Sequence, residues 1–188
     1  MSNEQLSEQK TAYVRFFAPV NGQSIANLIS AIEQKLREGF NRFVLLISSP
    51  GGEVIAGVTA YNFLKGIPAE IITHNFGNAD SIAAVIYCAG SKRYCVPQGR
   101  FLLHGVMSNF QNGAFDEKIL KERVKSLESD RITISKIISE ACQRQLEVVE
   151  QDMLQGTVLG ARQAIDYGLT HEIREQIFEG GATLVSVQ

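Results

Sequence analysis

The chain has 188 residues, 45% of them hydrophobic and 20% charged, with a formal net charge of −2. That length suits one domain, residues 1–188, and the mixture is that of a folded globular chain rather than a disordered or disulfide-stapled one. The charge balance lacks the basic excess of a nucleic-acid binder, and no apolar run approaches the roughly 20 residues that cross a bilayer, so neither nucleic acid nor membrane is an expected partner.

The opening MSNEQLSEQK is polar, has no signal-peptide core and leads to an expected cytoplasmic location. Residues 12–19 (AYVRFFAP) read as a first strand, closed by Pro19 and a turn through Asn21 and Gly22. Ile25, Leu28, Ile29, Ile32 and Leu36 recur at three- and four-residue steps, which predicts a helix ending near Gly39. Phe43 to Ile47 is a continuous apolar run, as in a strand buried on both faces. Ser48-Ser49-Pro50-Gly51-Gly52 then makes a turn into a helix over Val54 to Leu64.

The unit repeats: a strand over Ala69–Thr73, a loop over His74–Asp80, and a small-residue helix over Ser81–Ala89. Strands are expected over Arg93–Val96 and Phe101–His104. From Phe115 to Arg144 Gly and Pro are almost absent while apolar and charged residues alternate, which predicts one long helix of about 45 Å. Such a helix exceeds the needs of its own core, so part of it is expected to meet another subunit. A shorter helix over Ala161–Tyr167 stops at Gly168, and Ala182–Val187 adds an edge strand. Alternating strands and helices imply an α/β fold with a mostly parallel sheet, in which chemistry gathers at the carboxyl ends of strands, where both glycine-bearing loops are expected.

Ser81 follows a strand and a Gly/Asn loop and opens a helix of small residues. A serine there is held clear of the backbone beside unpaired N–H groups suited to an oxyanion. The competing reading makes it an ordinary helix N-cap. Consecutive glycines at 51 and 52 let the backbone approach a ligand and aim an N–H at it. His104, at a strand end, is a candidate to take the proton of Ser81. His74 and His171 join no paired pattern. Cys88, Cys95 and Cys142 form no CxxC pair and read as buried small hydrophobes, so no metal and no cofactor are expected.

Together these segments resemble the Clp protease proteolytic subunit. The matching stretches are Ser49-Pro50-Gly51-Gly52, Gly77-Asn78-Ala79-Asp80-Ser81, Ala89-Gly90 followed by a short hairpin, Phe101-Leu102-Leu103-His104, and Ala161-Arg162-Gln163-Ala164-Ile165-Asp166-Tyr167-Gly168-Leu169, in order from about residue 12 to residue 173. The resemblance implies a ClpP/crotonase-like fold with a handle-type long helix. It also implies a serine peptidase acting on peptides or unfolded proteins, with Ser81 as nucleophile, His104 as general base, and the N–H groups of Gly52 and Ile82 as the oxyanion hole. It implies a homo-oligomer of two stacked heptameric rings, interlocked by the long helix around an enclosed chamber.

The chain departs from the family pattern twice. Where the family carries its triad acid this chain has Gly156; Asp152, four residues earlier, is the substitute, with Asp80 and Glu150 as weaker ones. The family uses its N-terminal segment as an axial pore loop, and the roughly eleven polar residues before the first strand here speak against docking of an ATP-driven AAA+ unfoldase. The chain itself has no Walker-type phosphate loop. Two further readings keep the fold: a ring-forming or regulatory subunit without activity, favoured by Gly156, and a crotonase-fold acyl-CoA enzyme, disfavoured by the pairing of Ser81 with His104.

Overall fold

The computed structural model describes residues 9–107 and 114–187. The elements run β1 (Thr11–Phe17), α1 (Gly22–Arg37), β2 (Arg42–Ser49), α2 (Val54–Gly66), β3 (Glu70–Asp80), α3 (Ile82–Tyr87), β4 (Lys92–Cys95), β5 (Arg100–Leu103), α4 (Glu117–Cys142), α5 (Leu146–Gln155), β6 (Thr157–Gly160), α6 (Ala161–Tyr167), β7 (Glu172–Ile173) and β8 (Thr183–Val187). The sheet order is β6-β5-β3-β2-β1-β8, with β4 paired to β3 and to β7. Every pairing is parallel except that of β5 with β6.

Local chemistry accounts for most boundaries. Asn21 and Ser24 form a reciprocal capping box that starts α1, and its stripe Ile25, Leu28 and Ile32 is buried. β2 lies between β1 and β3, and its consecutive residues are buried on both faces as its sequence predicts, Phe43, Leu45 and Ile47 in one cluster and Val44 and Leu46 in the other. Gly168, in the left-handed conformation, ends α6 where expected. The tail strand is β8, parallel to β1 at the sheet edge.

Three expectations are corrected. His74–Asp80 is not a loop: it continues β3 to Asp80. The same edge of β3 pairs first with β4, through Ile72–Asn75, and then with β5, through Asn78–Asp80. The polar residues that suggest a loop are satisfied inside the sheet. Asn75 donates to the Arg100 carbonyl (2.8 Å), and Asn78 donates to the Ser49 carbonyl (3.0 Å) and accepts from the Ser48 hydroxyl (3.1 Å). Gly77 sits where a Cβ would lie 2.6 Å from Ser48 Oγ. Secondly, β4 and β5 are not a hairpin, because both run parallel to β3, one after the other. Thirdly, the sequence between the long helix and α6 forms α5 and the antiparallel β6, neither of which its short patterns announce.

The long helix is α4, of 26 residues or about 39 Å. Asp116 caps it by accepting from the Ile119 N–H (2.8 Å). Only its second half is buried, through Ile134, Ser135, Ile138 and Cys142. Its first half leaves Leu120 and Val124 exposed, at 43% and 53%. The main core joins the helices to one sheet face, and a smaller cluster of Val44, Leu46, Ile72 and Tyr94 occupies the other. Among the described residues, no helix is long and apolar enough to cross a membrane.

Candidate active site

Ser81 occupies the step from β3 to α3 with φ 56° and ψ −127°, one of two non-glycine residues at positive φ among those described. A serine is forced into that region only by its surroundings, at a cost of about 1–3 kcal/mol. Here its N–H donates to the Leu102 carbonyl (2.7 Å) and its carbonyl accepts from the Ala84 N–H (3.0 Å), so both neighbouring elements fix the turn. The capping alternative fails: the Ser81 side chain makes no cap hydrogen bond. Its hydroxyl is therefore not committed to the helix.

The glycine turn lies against this step. A Cβ on Gly51 would stand 2.7 Å from the Asp80 carbonyl oxygen and 2.8 Å from Ser81 Cβ, and one on Gly52 would stand 2.1 Å from the Val20 carbonyl oxygen. Both glycines have positive φ, 86° and 150°. Val20 holds the turn from one side, its N–H donating to the Gly51 carbonyl and its carbonyl accepting from the Glu53 N–H, each at 2.8 Å. In a trans peptide the C=O and the next N–H point opposite ways, so the N–H of Gly52 turns away from Val20. Among the described residues neither it nor the Ile82 N–H, which opens α3, donates to a backbone acceptor. α3 has only six residues, so any positive character at this step comes from these two N–H groups rather than from a helix dipole.

β5 delivers His104. The register Asp80↔Leu102 puts the ends of β3 and β5 side by side, and His104 follows two residues after the Leu102 that bonds Ser81. Ser81, Gly52, Leu103 and His104 all line one cavity of about 670 Å³. No hydrogen bond joins Ser81 to His104 among the described residues. Serine–base contacts in ligand-free sites are often loose and tighten on binding. Nδ1 of His104 lies 2.7 Å from the Gly105 carbonyl oxygen. A carbonyl can only accept, so Nδ1 carries the hydrogen and a neutral ring has its lone pair at Nε2.

The substitute acids have other partners. Asp152 Oδ2 accepts from the Tyr167 hydroxyl (2.8 Å), and Glu150 pairs with Arg131 (2.5 Å). Burial, with the Asp152 carboxylate second, pushes the Tyr167 hydroxyl far above its ordinary range. Asp80 is buried beside Ser81, but its Oδ2 takes Arg100 and Asn78, both at 2.8 Å. Gly156 and His104 each lie one residue beyond the last registered pair of β5 and β6, Leu103 opposite Thr157. The carboxylates that do share the cavity are Glu53 and Asp130. Sequence reading missed Asp130, although its spacing from Ile134 and Ile138 puts it on the buried stripe of α4.

The remaining candidates are structural. His74 Nε2 donates to the Arg174 carbonyl (2.9 Å), and His171 Nδ1 accepts from the Arg93 N–H (3.2 Å). The three cysteines are free and buried, and burial pushes the Cys95 thiol up to about 12 and that of Cys142 to about 11. Among the described residues no group of three or more His, Cys, Asp or Glu gathers as a metal site would require.

A mostly parallel sheet flanked by helices, with this strand–turn–helix step at its carboxyl edge, defines an α/β protein of the ClpP-like fold. The family model for Clp protease matches residues 10–177, and the chain belongs to that family. Membership supports peptidase function in general terms.

Proposed function

We propose that the chain is a serine peptidase that hydrolyses peptides or unfolded proteins through an acyl-enzyme. The observation that carries this reading is Ser81: a strained serine with an uncommitted hydroxyl, in the same cavity as His104 and beside two undonated N–H groups. Nε2 of His104 takes the hydroxyl proton as Oγ attacks the substrate carbonyl, and the N–H groups of Gly52 and Ile82 hold the oxyanion. The protonated ring then gives its proton to the leaving amine, and water, activated by the same nitrogen, releases the acyl group.

The third member is a carbonyl. The Gly105 oxygen holds the Nδ1 hydrogen and so fixes the tautomer, but it carries no charge to stabilise the imidazolium. Turnover by this dyad is slow, since losing the acid of a serine-protease triad costs about 10⁴-fold. A non-hydrolytic, ring-forming role is the second reading, favoured by Gly156 at the position where the family pattern has an acid. For assembly we propose stacked rings joined through the exposed apolar first half of α4. Free buried cysteines fit a cytoplasmic setting.

The test is cleavage of fluorogenic peptides by the purified oligomer. Activity lost in Ser81→Ala and in His104→Ala supports the dyad; cleavage unaffected by either substitution, or absent from a folded wild-type assembly, refutes it.

A further inference from the structure

The wall that α4 gives to the active-site cavity is one helical face: Arg123, Ser126, Leu127, Asp130, Ile134 and Ile138. Its deep end is apolar, with Ile134 and Ile138 buried beside Met153 of α5. Asp130, one turn before Ile134 on the same helical face, is half-buried, and among the described residues it has neither a hydrogen bond nor an ion pair. Burial pushes its carboxyl above the usual carboxylate range, and no neighbouring cation opposes the shift.

The nearby cations of α4 are otherwise placed. Arg131 is paired with Glu150. Arg123 is seven residues away on the same helix, about 10 Å along its axis. The segment 108–113, SNFQNG, contains no lysine or arginine. Glu53, the other carboxylate on the cavity, adds charge of the same sign.

A carboxylate partly withdrawn from water and left unpaired is costly, and a ligand that supplies the cation recovers that cost. The apolar floor disfavours a bare hydrated ion. The group that fits both features has an aliphatic stem and a cationic head.

We propose that Asp130 makes this cavity select a lysine or arginine side chain next to the bond that is cut. The cation preference stands on the cavity alone; the word "cut" rests on the hydrolytic reading above. Glutamate at the same substrate position is repelled by Asp130 and Glu53.

The experiment uses three fluorescent peptides that differ only at the residue before the labile bond: lysine, norleucine or glutamate. Binding to Ser81→Ala protein and turnover by protein with Ser81 intact are both measured, each with and without Asp130→Asn, on the assembled protein. Lysine is expected to exceed norleucine by about fivefold, the scale of a partly exposed ion pair, and Asp130→Asn to erase that ratio. Asp130→Lys, a second variant, is expected to turn the preference toward glutamate. A lysine-to-norleucine ratio unchanged in Asp130→Asn, or no binding of any of the three peptides, overturns the proposal. Asp130-dependent binding without Ser81-dependent turnover upholds the cation site and sinks hydrolysis; turnover without Asp130-dependent selection does the reverse.

Discussion

Leu103 and Thr157 are opposed across the antiparallel pair of β5 and β6, the last residues of the two strands in register, with His104 following the one and Gly156 preceding the other. Opposed residues in such a pair have Cα atoms about 5 Å apart. A Cβ on Gly156 meets nothing within 4 Å, so a side chain has room. Gly156 has φ 74°, a conformation that aspartate tolerates better than most residues, at a cost of about 1 kcal/mol. Gly156→Asp is therefore expected to supply the missing charge beside the imidazole and to raise peptide turnover by about tenfold or more. Steady-state kinetics on wild type and variant check this, and a rise in kcat that vanishes in His104→Ala identifies the route.

Asp152 is held by two contacts within the fold. Its carboxylate accepts from the Tyr167 hydroxyl, and its carbonyl accepts from the Thr157 hydroxyl at 2.9 Å, tying α5 to β6 and α6. Asp152→Asn is expected to leave turnover unchanged, and Asp152→Ala to cost about 1–2 kcal/mol of stability. Urea denaturation alongside peptide cleavage separates the two effects.

The ion pair of Asp80 with Arg100 fastens the end of β3 to the start of β5. Arg100 is half exposed, which screens the pair, while Asp80 is buried with Oδ1 lacking a hydrogen-bond partner. Arg100→Ala leaves that carboxylate uncompensated and is expected to destabilise by about 1–2 kcal/mol. Because the strands carry Ser81 and His104 at their ends, it is also expected to lower kcat more than it changes KM. Equal melting temperatures for variant and wild type would contradict this.

Much of this arrangement is legible in the sequence, and the parts that are not share a cause. The steps from β2 through Gly51-Gly52 and from β3 to Ser81 are marked locally by glycine, small residues and apolar runs. The extension of β3 through His74–Asp80 is not, because its asparagines and glycine are made tolerable by partners far along the chain, Arg100 and Ser49 among them. Pairing of β6 with β5 is likewise a long-range event, so the register that sets Thr157 opposite Leu103 emerges only in three dimensions. Tyr167 as the partner of Asp152, and Asp130 on the cavity wall, are hidden for the same reason.

Acidification is expected to weaken the fold through His74. Burial holds its imidazole below the ordinary value of 6.5, with the Arg174 charge acting in the same direction, and burial does the same to His171. Below about pH 6.5 the unfolded chain therefore binds more protons than the folded one. The contribution to stability is complete above that pH and is lost as pH falls toward the folded values. Denaturation midpoints measured from pH 8 to pH 5 should fall on the acid side, less steeply in His74→Gln. A flat profile in the wild-type protein would contradict this reading.

The proposed role of Ser81 as nucleophile is most directly tested by a fluorophosphonate probe with the adduct located by peptide mass spectrometry. The account predicts one adduct, on Ser81, formed by the folded protein, absent after heat denaturation and nearly abolished in His104→Ala. A folded protein that stays unlabelled, or labelling of Ser81 at the same rate without the imidazole, would contradict it.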